Sequence, residues 1–466
     1  MKQENLNISI AQPHPEGLDW IQKAALALAA MGILVLLVAW TGYTFDHNTM
    51  FLSVALGGIA LGTIVYALRF YKGQPAGIKN NGVWHNSLTN RGMWGWLVGI
   101  VLTGFYCMLY WAPSWLGYNE AGNTGLTALF DPLSQFFKGK PASQWFVYGT
   151  IYTLLIFSLG IKFIIKYRHI RYQLIRTIVV IISQLFLAYL IPEIMEGLNS
   201  DTANFSKDIK YMWPLNYYFF DGWHIDNMRA GGTLGMLYLV WGIVLFLVLT
   251  PIITYFVGKR WYCSWVCGCG GLAETAGDPF RHLSSKTLSS WKIERWMIHS
   301  VLVLVTIVTA IVLYGYFTGK SEFLGLSIYT YFSKPYAFLI GAAFSGVVGV
   351  GFYPILGNRV WCRFGCPLAA YMGIFQRFKS RFRITSNGGQ CISCGNCSTY
   401  CEQGIDVRAY AQKGQNIVRA SCVGCGVCSA VCPRGVLKLE NAPETGSISD
   451  NPIIPGNDGS WLVTKQ

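Results

Sequence analysis

Eight apolar runs of membrane-spanning length restrict the fold of this chain more than any other feature. They cover residues 22–43, 51–70, 93–113, 146–166, 174–192, 233–258, 296–317 and 336–356. A helix needs roughly 20 mostly apolar residues to cross a bilayer. In lipid, a spanning segment must satisfy its own backbone hydrogen bonds. The runs are therefore expected to be membrane helices. The last holds several glycines and Pro354, and is expected to be kinked or short. Composition agrees: 12% of residues are charged, against about 25% in soluble domains, and the mean hydropathy is +0.37. The first 20 residues are polar and the first apolar run is too long for a cleaved signal, so it reads as a retained anchor.

The formal net charge of +14 finds its place in the loops, where lysine and arginine mark cytoplasmic ends. Basic loops follow the second, fourth and sixth runs. The first carries Arg69, Lys72, Lys79 and Arg91. The second carries Lys162, Lys166, Arg168, Arg171 and Arg176. The third carries Lys259, Arg260, Arg281, Lys286, Lys292 and Arg295. The alternate loops are acidic or near neutral, with Lys320 and Lys334 against Glu322 as a weak exception. This bias places both termini on the cytoplasmic side of a bacterial inner membrane. No nucleic-acid-binding motif is present, so the basic charge points to the bilayer and not to nucleic acid.

Twelve of the 14 cysteines fall in short-spaced groups, which is ligand spacing and not a disulfide framework. Such thiols must stay reduced, again favouring the cytoplasm. Cys391, Cys394, Cys397 and Cys401, and then Cys422, Cys425, Cys428 and Cys432, each read Cys-x2-Cys-x2-Cys-x3-Cys. Three thiolates on a tight loop wrap three corners of a 4Fe–4S cubane, and the fourth cysteine reaches the other cluster. One cluster is thus expected on Cys391, Cys394, Cys397 and Cys432. The other is expected on Cys422, Cys425, Cys428 and Cys401. Structural zinc sites pair cysteines across a longer stretch, which these triplets do not fit. The second run ends Cys432-Pro433, whereas the first ends Cys401-Glu402.

An internal repeat lies upstream. GKRWYCSWVC (258–267) and GNRVWCRFGC (357–366) both read Gly-x-Arg-x-aromatic-Cys-x3-Cys after an apolar run. The simplest account is a duplicated two-helix unit. At helical spacing i and i+4 share a face, so Cys263 with Cys267, and Cys362 with Cys366, are candidates for a redox dithiol, a metal or a further cluster. Cys269 is either a spare ligand or a loop cysteine, and Cys107 reads as packing. Among the histidines only His299 sits in a run, which argues against a bis-histidine haem. Tyr211, Trp213, Tyr217, Tyr218 and Trp223 read as interfacial anchors, with a quinol pocket or a docking surface as the sharper alternative.

The expected fold is an α-helical polytopic membrane protein with a C-terminal α+β bacterial-type two-cluster ferredoxin domain. Its expected parts are a cytoplasmic segment (1–21), a four-helix membrane module (22–173), the duplicated core (174–367), a basic interfacial linker (368–385), the ferredoxin domain (386–440) and a flexible tail (441–466).

On these motifs the chain resembles the NapH/NosR/CcoG-type membrane polyferredoxins over about residues 174–440. GNRVWCRFGCP fits the family's Cys-x3-Cys-Pro motif, and GKRWYCSWVCG departs from it only in Gly268. The resemblance implies electron transfer between a quinone pool or cytoplasmic donor and a partner redox enzyme, within a membrane complex. It also implies alternatives: copper reduction or assembly of a respiratory oxidase, as for CcoG-like members. A redox-sensing regulator is a third reading.

Overall fold

The computed structural model describes residues 17–72, 91–198, 222–441, 453–455 and 461–463. Among the described residues, seven helices are long and apolar enough to cross a membrane. They are α1 (Trp20–Trp40), α2 (Asn48–Phe70), α3 (Met93–Trp111), α5 (Gln144–Lys166), α6 (Arg171–Leu198), α7 (Gly232–Val257) and α9 (Leu288–Thr318). The eighth apolar run is helical but irregular. Ala337–Val348 winds as a π-helix, and the chain then turns into the short helix Tyr353–Leu356. Helices α6 and α7 also contain π stretches, Ser183–Leu190 and Leu245–Leu249; what sets the eighth run apart is the turn after Val348 that breaks it.

Local chemistry sets the first elements. Asp19 caps α1, accepting from the Gln22 amide at 2.7 Å while Gln22 Oε1 accepts from the Asp19 amide at 2.9 Å, a reciprocal capping box. Arg69 at the end of α2 pairs with the same carboxylate. Helices α1 and α2 approach closely because small residues face each other. A Cβ at Gly62 would stand 2.5 Å from the Ala25 carbonyl, and one at Gly32 2.6 Å from that of Ala55. Small residues at contact points are how membrane helices pack without a hydrophobic driving force.

Helix α4 (Gly125–Lys138) was not anticipated, since 14 residues are too few to span. It buries Leu126, Leu129 and Phe130 against α1, α2 and α5, and exposes Phe136. Helix α8 (Gly268–Thr275) follows the first cysteine pair, and α10 (Pro367–Lys379) follows the second.

The segment read as a basic linker is built into the protein. Helix α10 buries Ala369, Ala370, Met372 and Gln376 and packs against α7 and α9. Strand β1 (Arg383–Ser386) then begins the ferredoxin fold three residues earlier than expected. It pairs antiparallel with β2 (Leu437–Glu440), with Arg383 opposite Glu440 and Ser386 opposite Leu437. This pairing closes the domain on itself. Helix α11 (Val407–Gln412) lies between the cysteine runs. Within the tail expected to be flexible, Ile453–Pro455 pairs with Trp461–Val463. Lys79, Tyr211, Trp213, Tyr217 and Tyr218 lie outside the described residues, as does the side chain of Trp223.

Candidate iron–sulfur sites

The two cysteine runs fold into matching loops. Gly395 and Gly426 take positive φ, 80° and 76°, as does each residue just before the second cysteine, Ser393 at 57° and Gly424 at 62°. These left-handed turns curl the backbone around a hollow. One hollow is lined by Cys391, Cys394, Cys397 and Cys432, and another by Cys401, Cys422, Cys425 and Cys428. The thiols are thus grouped three from one run and one from the other. Among the described residues, no three His, Cys, Asp or Glu side chains converge closely enough to grip a single ion; the thiols ring cavities instead. Burial pushes the Cys397 and Cys422 thiols up to about 11. Loading iron must therefore displace protons.

The Cys-x3-Cys segments are structural copies. Gly258 and Gly357 end their helices at φ 72°, ψ 176° and φ 97°, ψ 172°, a region open essentially to glycine alone. The Cys267 amide donates to the Tyr262 carbonyl at 2.8 Å, and the Cys366 amide to the Trp361 carbonyl at 2.9 Å. Both second cysteines are extended N-caps, of α8 and α10. Each pair therefore sits on a wide turn and not on the single helix face that i, i+4 spacing suggested. Cys263, Cys267 and Cys366 pack in one core cluster. Cys362 acts electrostatically on Cys263 and Cys366, so all four thiols are neighbours. Burial raises the Cys263 thiol to about 12. Cys269 joins the group by a hydrogen bond to Cys267, which spacing alone could not decide. Gly268 stands where the motif has proline because α5 fills the space: a Cβ there would lie 2.5 Å from the Tyr152 hydroxyl. Cys107 is half-buried in α3.

A buried ionic network joins the two kinds of site. Arg359 Nη1 reaches Cys362 Sγ at 3.7 Å and the Cys263 carbonyl at 3.1 Å. Its Nη2 pairs with Glu274 at 2.7 Å and with Glu402 at 2.9 Å. Glu402 follows Cys401 in sequence and also binds Arg281 at 2.6 Å. Arg281 pairs with Asp278 at 2.8 Å, Asp278 with Lys166 at 2.7 Å, and Arg176 with Glu274. Burial alone would raise the Glu402 pKa, but Arg359, Arg281 and Arg176 hold it below the usual carboxylate range. The acid at the departure from Cys-Pro is thus a neutralised contact that docks the ferredoxin domain. Sequence reasoning missed this role because the partners lie far apart along the chain. Further contacts seal the junction: Ser264 Oγ to the Val423 carbonyl at 2.8 Å, Tyr172 Oη to that of Gly424 at 2.7 Å, and Gln173 Nε2 to that of Cys425 at 2.9 Å.

Residues 383–433 match the family described as a 4Fe–4S dicluster domain. Residues 240–287 and 338–385 each match a family described as a 4Fe–4S binding domain. The chain carries 4Fe–4S ferredoxin-type domains. The second family fits the chain twice, once on each copy of the repeat. Distant homology extends to YccM of Escherichia coli (strain K12), named as an electron transport protein. It is 24% identical over 200 residues, 40% of this chain and 55% of the relative. The methylamine utilization ferredoxin-type protein MauN of Methylobacillus flagellatus is 26% identical over 152 residues, 32% of this chain and 50% of the relative. The chain spans about half the length of the curated relatives it matches. No solved structure matches.

Proposed function

We propose that the protein relays electrons between a redox partner on the cytoplasmic face and a membrane quinone or partner enzyme. The observation that carries this reading is the reach of Arg359. One side chain touches Cys362 of the buried thiol group and Glu402, the residue after Cys401, so the side chains of Arg359 and Glu402 bridge the two thiol sets. When bound, 4Fe–4S clusters supply one-electron carriers at the ferredoxin cysteines. The burial of the cysteines supports an order for the sites. Cys394 is exposed, Cys422 and Cys428 are buried, and Cys425 packs into the core that holds Cys263, Cys267 and Cys366.

In this reading Cys391, Cys394, Cys397 and Cys432 hold the outer cluster, and Cys422, Cys425, Cys428 and Cys401 the inner one. The five thiols at Cys263, Cys267, Cys269, Cys362 and Cys366 form a further redox site, to which the twofold match to a 4Fe–4S binding family lends support. Orientation with the termini in the cytoplasm of a bacterial inner membrane rests on loop charge. The finer kinship with NapH/NosR/CcoG-type polyferredoxins rests on the two Cys-x3-Cys motifs. The alternative of a copper reductase or oxidase-assembly factor is not favoured by this geometry, since among the described residues no three His, Cys, Asp or Glu side chains converge closely enough to grip a single ion.

The test uses proteoliposomes with a quinone analogue in the bilayer and a strong reductant on the ferredoxin side. Cys362→Ser is expected to keep the paramagnetic signals of the ferredoxin clusters and to lose quinone reduction. Quinone reduction equal to that of the parent protein would remove Cys362 from the relay.

A further inference from the structure

The two cysteine runs are equivalent at a spacing of 31 residues, yet among the described residues only one half of the domain is covered. In the inner half, Val423 is 1% exposed and sits in the core shared with the membrane helices. Gly424, Glu402 and Gln403 are buried beside it. Their counterparts in the outer half are Ile392, Ser393, Pro433 and Arg434, and all four are exposed. Ile392, the equivalent of Val423, is 57% exposed. The same loop geometry that inserts an apolar side chain into the membrane domain on one side therefore presents one to solvent on the other.

The rim of this outer face is basic. Arg408 and Arg434 line the mouth of the outer thiol cavity together with Ile392 and Pro433. Both arginines are exposed, and neither is held by an acid among the described residues. Residues 383–441 contain six cations against three acids, and one of those acids, Glu402, is spent on Arg281 and Arg359.

We propose that this face, Ile392 and Pro433 flanked by Arg408 and Arg434, docks a soluble acidic one-electron carrier protein. The proposal rests on the relay reading, and names the class of partner that meets its outer end. An apolar centre with a charged rim is the anatomy of a transient interface. Complementary charge steers such encounters and fixes their register. In the transfer itself, one electron would leave the carrier's reduced centre, which is oxidised, and would be taken up by the 4Fe–4S group that Cys391, Cys394, Cys397 and Cys432 would hold, which is reduced. No bond breaks and no proton moves.

The experiment measures binding of a plant-type acidic 2Fe–2S ferredoxin to the iron-loaded, detergent-solubilised full chain. Screening of rim charges strengthens as the Debye length falls to about 10 Å at 0.1 M salt. Affinity is therefore expected to fall by at least about tenfold between about 20 and 300 mM salt. Arg408→Glu with Arg434→Glu is expected to abolish that dependence and weaken binding at low salt. Ile392→Asp, which keeps both arginines, is expected to weaken binding at every salt concentration. Affinity indifferent to salt and to both variants would overturn the proposal. So would a charge-reversed protein that loses only its binding to phosphatidylglycerol vesicles, since the face would then be a lipid contact. Paramagnetic signals recorded on the same samples separate the two failures. Their absence defeats the relay reading, whereas signals without carrier binding defeat the docking face alone.

Discussion

Replacing Glu402 by Gln tests whether the buried ion pairs hold the ferredoxin domain on the membrane core. The carboxylate is 1% exposed and binds Arg281 at 2.6 Å and Arg359 at 2.9 Å, two arginines that are themselves buried. Removing one partner of a buried pair costs about 3–5 kcal/mol, because the charge left behind is uncompensated. Arg281 keeps Asp278 and Arg359 keeps Glu274, so the lower end, about 3 kcal/mol, applies here. Each 1.4 kcal/mol is tenfold in an equilibrium, so opening of the junction should become about a hundredfold more frequent. Backbone hydrogen exchange reads such local opening. Faster exchange is expected at residues 402–405 and 422–426, with α5 unchanged. Equal protection in Glu402→Gln and the parent would refute the reasoning and assign docking to the neutral contacts of Tyr172, Gln173 and Ser264.

Gln403 is 2% exposed, lines the inner thiol cavity, and has neither amide atom hydrogen-bonded. A donor to cluster sulfur stabilises the more negative reduced state, so Gln403→Leu should lower one cluster's potential by about 20–60 mV, the equivalent of one modest hydrogen bond. A redox titration showing no shift would leave this amide without a part in tuning. Gly268→Ala should destabilise the protein by about 1–3 kcal/mol through overpacking against Tyr152, and Tyr152→Phe should recover part of the loss in thermal melts; no recovery would place the clash elsewhere. Burial would raise Asp278, but Lys166 and Arg281 hold its carboxyl below the usual range. A depressed carboxylate stabilises above its unfolded pKa of about 3.9 and loses that contribution only as pH falls through its lower folded value. The melting gap between the parent and Asp278→Asn should therefore stay constant from about pH 8 to 5, and a gap that narrows on mild acidification would contradict the sign.

What the sequence discloses follows from how far apart the interacting residues lie. Cysteine spacing is local, so the grouping of eight thiols around two cavities is readable from it. Apolar length is also local, and it marks the seven spans. It overstates the run ending near Leu356, which breaks into a turn after Val348. Helix α4 escapes notice because 14 residues cannot span. The i, i+4 argument brings the Cys-x3-Cys thiols together for an incomplete reason: Cys267 and Cys366 have already left their helices. Glu402 is visible as a departure from Cys-Pro, but its partners Arg281 and Arg359 are 121 and 43 positions away, beyond any spacing rule. The exchange of proline for Gly268 becomes intelligible only once Tyr152 is placed against it.

Iron and acid-labile sulfide analysis of the anaerobically purified protein, with paramagnetic resonance after reduction, meets the central claim head on. The account predicts about eight iron atoms in two interacting four-iron clusters, with additional iron if the five-thiol group is loaded. Iron in excess of eight should disappear in Cys362→Ser while the pair of ferredoxin signals persists. Zinc in place of iron, or a reduced sample with no paramagnetic signal, would contradict it.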